Sequence, residues 1–166
     1  MKFSIRDIDK GYNALLTGFE TLADIRTRVG IQGKDALRRV ALDDDAEENQ
    51  ASLQMVELAT IHEFGAPKAN IPQRSFLRST ADENRRKYER VMAFTIAKLL
   101  KNPRIVNVKG DMFMLGERVR RDIVTKINKH IPPPNALSTV LSKGDDTPLI
   151  DTGLMRSSIS SKVGPK

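Results

Sequence analysis

The stretch from Gln54 to Thr80 most constrains the fold, because one glycine and two prolines divide it into a short helix, a turn and an extended segment. Apolar residues recur at three- and four-residue spacing in its first part, which predicts a helix with one buried stripe: Met55, Leu58, Ala59 and Ile61. Gly65 suits the left-handed backbone that ends a helix, and Pro67 cannot continue one. Pro72 then favours an extended chain before it.

Apolar periodicity predicts three more helices. The first covers about residues 8–23. A long helix covers about residues 81–101, and Thr80 with Glu83 has the spacing of a capping box at its start. A second long helix runs from Asp111, its predicted cap, to about residue 129. The two long helices are expected to be antiparallel neighbours in one core that contains Tyr88, Leu99, Leu115 and Ile127.

Two segments have the alternation of half-buried strands. Residues 25–31 alternate apolar and polar side chains up to Gly33, and residues 157–163 do the same near the end of the chain. Residues 34–40 allow an extension into a hairpin, although their alternation is poor. We expect the two strands to pair, with Val29, Ile31, Ile159 and Val163 inward. The predicted fold class is α+β: a small antiparallel sheet packed against two long antiparallel helices plus shorter helices.

The length of 166 residues fits a single domain over residues 1–166. Two polar or proline-rich segments, about 41–52 and 131–148, are expected to be mobile loops. The chain has no cysteine, which excludes disulfides and thiolate metal sites and fits a reducing cytoplasm. It also has no apolar run long enough to span a membrane and no visible secretory signal.

The net charge of +7 is unevenly distributed. Residues 34–63 carry three basic and eight acidic side chains, whereas residues 64–130 carry sixteen basic and six acidic ones. This asymmetry is typical of a protein that binds nucleic acid or a charged partner, and it equally suits complementary contacts between copies of one chain.

Residue patterns that would indicate catalysis are weak. His62-Glu63 is half of a zinc-protease motif, but Ala66 stands where the second histidine is needed. The serines lack a nucleophile-elbow context, and no phosphate-binding glycine loop is present. We therefore expect no catalytic residue, no metal and no cofactor, and the protein is not expected to be an enzyme.

Two motifs resemble a phage family. The first runs Ile61-His62-Glu63-Phe64-Gly65-Ala66-Pro67 and then Asn70 to Arg78; the second runs from Leu149 to Ile159 and contains Asp151-Thr152-Gly153-Leu154. Together they are similar to the tail-completion or head–tail joining proteins of long-tailed phages, including the virion morphogenesis proteins of Mu-like phages. The motifs are about seventy residues apart and in the same order as in the family.

This resemblance implies a structural virion protein of the neck, assembled in the host cytoplasm. It implies a homo-oligomeric ring, expected to be hexameric, between the tail and the head connector. The implied partners are the tail terminator or tail tube protein, the head connector or stopper proteins, and genomic DNA in the lumen. No membrane contact is implied.

The candidate interface residues come from the two motifs and from the basic start of the long helix: His62, Phe64, Arg74, Phe76, Arg78, Arg85, Arg86, Arg90, Asp151 and Arg156. Arginines flank the Phe76–Leu77 pair, which is typical of an interface hot spot, although a buried pair with solvated charges fits the same pattern. The basic helical face is either solvated or in contact with DNA or an acidic partner.

The alternative function is nonspecific binding of double-stranded DNA. It depends on the isoelectric point of about 9.8 and on the central excess of positive charge. No motif for reading base sequence is present, and the chain has only two tyrosines and no tryptophan for stacking on single strands.

Overall fold

A computed structural model describes residues 9–41, 52–129, 131–135, 137, 140–141, 149 and 153–166. The helices are α1 (Tyr12–Asp24), α2 (Met55–Phe64), α3 (Arg78–Lys101), α4 (Val108–Ile127) and α5 (Leu154–Ser157), and the strands are β1 (Ile25–Ile31), β2 (Arg39–Ala41), β3 (Ser52–Gln54) and β4 (Ile159–Pro165). Short 3-10 turns cover Gly33–Leu37, Pro67–Ala69 and Pro103–Ile105. The predicted α+β class is confirmed. Most of the two predicted mobile loops, and Asp151, lie outside the described residues.

The main sheet is the predicted pairing of two distant strands. β1 and β4 are antiparallel, with Ile31 opposite Ile159 and Thr27 opposite Val163. Ile159 is buried, and Val29 and Ile31 pack against the core from its edge. The alternation of side chains in both segments was therefore sufficient to predict this pair.

A second pair, β2 with β3, was not predicted. Val40 lies opposite Leu53 in an antiparallel register of three residues on each strand. Strands this short contain too few residues for an alternating pattern to stand out. The pair joins the segment after β1 to the start of α2.

The two long helices are antiparallel, as predicted, and ion pairs fix their register. Lys98 Nζ lies 2.5 Å from Asp111 Oδ2, and Lys87 Nζ lies 2.7 Å from Asp122 Oδ2. The paired residues are eleven positions apart on each helix, so the helices run side by side without slippage. Tyr88 donates to Asp122 at 2.9 Å, and burial together with that carboxylate raises the pKa of Tyr88.

Both predicted helix starts need correction. α4 begins three residues before Asp111, and the side chain of Asn107 caps it by accepting from the backbone N–H of Gly110 at 2.9 Å. α3 begins at Arg78, so Thr80 lies inside the helix, where its hydroxyl donates to the carbonyl of Phe76 at 2.6 Å. Glu83 pairs with Lys126 instead of closing a capping box.

The core lies between α2, the start of α3, the second half of α4 and the sheet. Its fully buried members include Met55, Phe76 and Ile127, whereas Leu99, also fully buried, lies near the C-terminal end of α3 against Gly18 of α1. Leu115 is also buried, as predicted, whereas Tyr88 is only half-buried. In the described part of the chain, no helix is both long enough and apolar enough to cross a bilayer.

Candidate interface site

The site is organised by the carboxylate of Glu63, in the last turn of α2. Its side chain is only 4% exposed, and it accepts hydrogen bonds from the Ser75 hydroxyl at 2.6 Å and from the backbone N–H groups of Phe76, Leu77 and Arg78 at 2.9, 2.9 and 3.0 Å. The first N–H groups of a helix have no partner within the helix, and its N-terminus attracts negative charge. Glu63 therefore caps α3 from another helix.

The protonation of Glu63 follows from these contacts. Burial raises the pKa of this carboxyl, but the hydrogen bonds from Ser75 and from the three backbone N–H groups lower it further than burial raises it. The net pKa lies below its ordinary value, so Glu63 is ionised at neutral pH.

The sequence contained little signal for this cap. Glu63 was considered as part of an incomplete metal motif and of the first family-like motif, and the cap of α3 was sought locally at Thr80. The donors lie 12 to 15 residues after Glu63, beyond the reach of any local capping pattern.

Residues 65–74 form a compact turn that is closed at its base. The backbone N–H of Arg74 donates to the carbonyl of His62 at 2.8 Å, and Gln73 Nε2 donates to the carbonyl of Glu63 at 3.0 Å. Gly65 has a φ of 76°, and a Cβ there would lie 2.8 Å from the backbone nitrogen of Gln73. The positive φ expected at Gly65 is confirmed, but its ψ of 167° is extended and is not the left-handed helical conformation that was predicted. The close approach of the backbone adds a second reason for glycine.

Arg74 and Phe76 have structural roles in this arrangement. Arg74 is buried, and its guanidinium donates to the carbonyls of Pro133 and Pro134 at 2.9 and 3.0 Å, which ties the turn to the segment after α4. Phe76 is 0% exposed and belongs to the core cluster. The burial of Phe76 fits the buried interpretation of the Phe76–Leu77 pair, but that interpretation expected solvated arginines, and Arg74 is buried as well.

Phe64 and Arg78 are the exposed members of the site. The Phe64 side chain is 61% exposed, and the guanidinium carbon of Arg78 lies 5.9 Å from the centre of its ring. This distance is within the range of a cation–π contact. Both residues adjoin the Glu63 cap, since Phe64 follows Glu63 and the N–H of Arg78 donates to it. The cap therefore holds an aromatic–arginine pair at the surface.

The remaining candidate residues are spread over other surfaces. His62 is half-buried in the last turn of α2. Arg85 pairs with Glu89 on the surface of α3, and Arg86 and Arg90 are exposed on the same helix. Arg156 donates to the side chain of Asn128 at 2.9 Å.

The described residues contain no group of three or more histidine, aspartate or glutamate side chains placed to hold a metal ion. The comparisons with known proteins give no relative: no family model, no curated protein and no solved structure matches this chain.

Proposed function

We propose that this protein is a structural subunit that works by binding other subunits. More specifically, we propose a tail-completion or head–tail joining protein of a long-tailed phage, which forms a ring of copies, expected to be six, at the neck. The observation that carries the proposal is the exposed Phe64–Arg78 pair held by the buried Glu63 cap. An aromatic ring beside an arginine on a rigid backbone has the composition of an interface hot spot.

The location of the two family-like motifs supports this proposal. Residues from both motifs enter one core cluster: Phe76 comes from the first, and Leu149, Met155 and Ile159 come from the second. Stretches that resemble one family in sequence thus pack together, as expected if they form a common structural unit. The Phe64–Arg78 pair belongs to the first of these motifs, and its exposure adds a structural argument to the sequence resemblance.

In this proposal the ring binds the tail terminator or tail tube on one side and the head connector or stopper on the other. The Phe64–Arg78 pair contacts an adjoining neck subunit, and the genome passes through the lumen. The acidic sequence 43–50 of one copy and the basic start of α3 in another have charges of the right signs for a further contact.

The test uses Phe64→Asp, which places a charge at the centre of the proposed contact. Electron microscopy of wild-type protein, alone and with particles that lack it, is expected to show rings and restored joining of heads to tails. Phe64→Asp is expected to fold with an unchanged melting temperature, because the ring is mostly exposed, and to fail in joining. Thr60→Asp, an exposed position on the same helix, is the matched control and is expected to behave as wild type.

If Phe64→Asp restores the joining of heads to tails as well as wild type does, the Phe64–Arg78 pair is not part of the contact. Wild-type protein that neither forms rings nor restores particles would contradict the proposed function itself.

A further inference from the structure

The second half of α3 is apolar on all sides. Residues 91–100 contain one charged side chain, Lys98. Thr95 and Leu99 are buried against the rest of the protein, but Phe94 is 66% exposed and Leu100 is 60% exposed. A helix that is apolar all round is normally covered on both sides. Nothing in the described residues covers the outer side of this one.

α4 extends the same surface. The ion pair between Lys98 and Asp111 sets the antiparallel register, so Met114, three residues after Asp111, lies level with Thr95, three residues before Lys98. Since Phe94 directly precedes Thr95, Met114 lies at about the height of Phe94, and its side chain is 65% exposed. We call the exposed outer surface of Phe94, Ala97 and Met114 the basic apolar face, because cations border it.

The bordering cations follow from the same register. Arg118 lies seven residues after Asp111, level with Val91, which lies seven residues before Lys98. Because Arg90 directly precedes Val91, Arg118 lies at nearly the same level along the helix axes as Arg90, and both arginines are exposed. Neither arginine forms an ion pair with another described residue.

α1 has the opposite charge and a similar apolar stripe. Tyr12, Leu16 and Phe19 are exposed and recur at helical spacing. The helix contains no lysine or arginine, and Glu20 and Asp24 are exposed on it without an ion pair among the described residues. Asp24 also lies at the C-terminal end, where the helix dipole disfavours a negative charge. We call the stripe and its two carboxylates the acidic apolar face.

The acidic apolar face cannot reach the outer side of α3 in the same copy. α1 packs on α3 through Gly18, where a Cβ would lie 2.4 Å from Leu99 Cδ1. At about 100° per residue, Tyr12, Leu16 and Phe19 are turned about 100–160° away from Gly18. The stripe therefore faces away from the contact within the chain.

We propose that the acidic apolar face of one copy packs on the basic apolar face of the next copy. The two faces combine exposed apolar side chains with opposite charges, which is the complementarity that selects a partner and its orientation. Because the acidic apolar face points away from α3 within one copy, each copy uses its two faces on two different neighbours, and such a heterologous contact generates a ring when its rotation closes. This inference deepens the proposed function, because it takes the partner to be a sister copy. DNA would use the arginines but not the apolar side chains between them.

The absence of cysteine in the chain allows a direct test by cross-linking. Leu16→Cys and Ala97→Cys are made as separate proteins, one of them carrying a size tag, and are treated with a short bismaleimide. A mixed dimer is expected from the mixture, and neither protein alone is expected to cross-link to itself. Asp35→Cys mixed with Ala97→Cys is the matched control, because position 35 is exposed and outside both faces.

Charge reversal tests the specificity of the contact. Arg90→Glu with Arg118→Glu in the Ala97→Cys protein is expected to lower the yield of mixed dimer about tenfold. Glu20→Arg with Asp24→Arg in the Leu16→Cys partner is expected to restore it. Lys34→Glu, an exposed cation outside both faces, is expected to leave the yield unchanged.

Three results would overturn the inference. The mixture gives no mixed dimer, it gives no more than the position 35 control, or charge reversal does not change the yield of mixed dimer. If the charge reversal at Arg90 and Arg118 abolishes retention on DNA but leaves the yield of mixed dimer unchanged, the two arginines bind DNA. That result would also overturn the inference. If wild-type protein forms rings but the cysteine variants give no mixed dimer, the inference fails and the proposed function stands. If the mixed dimer forms but wild-type protein does not restore the particles, the proposed function fails and the contact between copies stands.

Discussion

At the scale of single residues, Glu63 joins α2 to the start of α3. One buried carboxylate accepts four hydrogen bonds at distances from 2.6 to 3.0 Å. Hydrogen bonds to a charged group are stronger than those between neutral groups, and a buried donor left without a partner is costly. The orientation of α3, and with it the position of the Phe64–Arg78 pair, depends on this side chain.

We expect Glu63→Gln to lower the free energy of unfolding at pH 7 by about 2–3 kcal/mol. The amide has one acceptor oxygen, and its NH2 group would face backbone N–H groups that are themselves donors. Denaturant unfolding measures the change. Glu57→Gln is the control, since Glu57 bonds a backbone N–H in the exposed capping box at the other end of α2, and its effect is expected to be much smaller.

The pH dependence gives this prediction a second measurement. The native pKa of Glu63 is below its unfolded value, so its contribution to stability is present at neutral pH and is lost as the pH falls from about 5 through the native pKa. The difference in the free energy of unfolding between wild type and Glu63→Gln is therefore expected to become smaller in acid. If this difference in the free energy of unfolding stays constant down to pH 3, the charge of Glu63 does not stabilise the fold.

At the scale of elements, α4 lies unusually close to the sheet because of Gly116. A Cβ at this position would lie 2.8 Å from Thr27 Cγ2 and 3.2 Å from Ser161 Cβ. Two polar contacts reinforce the approach: the Thr27 hydroxyl donates to the carbonyl of Met112 at 3.2 Å, and the Ser161 hydroxyl donates to Glu117. The helix is therefore seated directly on β1 and β4.

We expect Gly116→Val to destabilise the protein by about 1–3 kcal/mol, because the new side chain must push α4 off two strands. Thermal unfolding measures the effect. Thr125→Val places the same side chain at an exposed position of the same helix and is expected to change stability little. If the two variants are equally stable, α4 can move away from β1 and β4 without a cost in the free energy of folding.

The elements that the sequence predicted well are those with long periodic patterns. The strand pair β1–β4 and the two antiparallel long helices follow from apolar spacing alone. The starts of α3 and α4 were misplaced because Thr80 and Asp111 fit local capping patterns, while Glu63 and Asn107 supply the actual caps. Of the site, Phe64 and Arg78 were predicted as surface contacts, but the burial of Arg74 depends on carbonyls about sixty residues away.

At the scale of the whole molecule, charge is separated between surfaces. α1 has only acidic charges, and exposed cations are frequent on α3 and α4. The net charge of +7 alone predicts some attraction to DNA. The apolar side chains among the exposed arginines favour a protein partner instead.

We therefore expect only weak, salt-labile retention on double-stranded DNA. The slope of log Kobs against log salt is expected to correspond to fewer than about three phosphates, because the exposed cations are distributed over several faces. Retention on a DNA column at several salt concentrations measures it. A slope equivalent to six or more phosphates would favour the DNA-binding alternative over the neck protein.

The turn of residues 65–74 has a consequence for how such a protein diversifies. Its base is fixed by Gly65 and by the bonds of Gln73 and Arg74 to α2, while its tip, residues 67–70, is exposed. Mutations at the tip leave the core and the helix cap untouched, so drift there carries little penalty for folding. A lineage of such proteins can therefore exchange tips to acquire new binding partners while the scaffold stays the same.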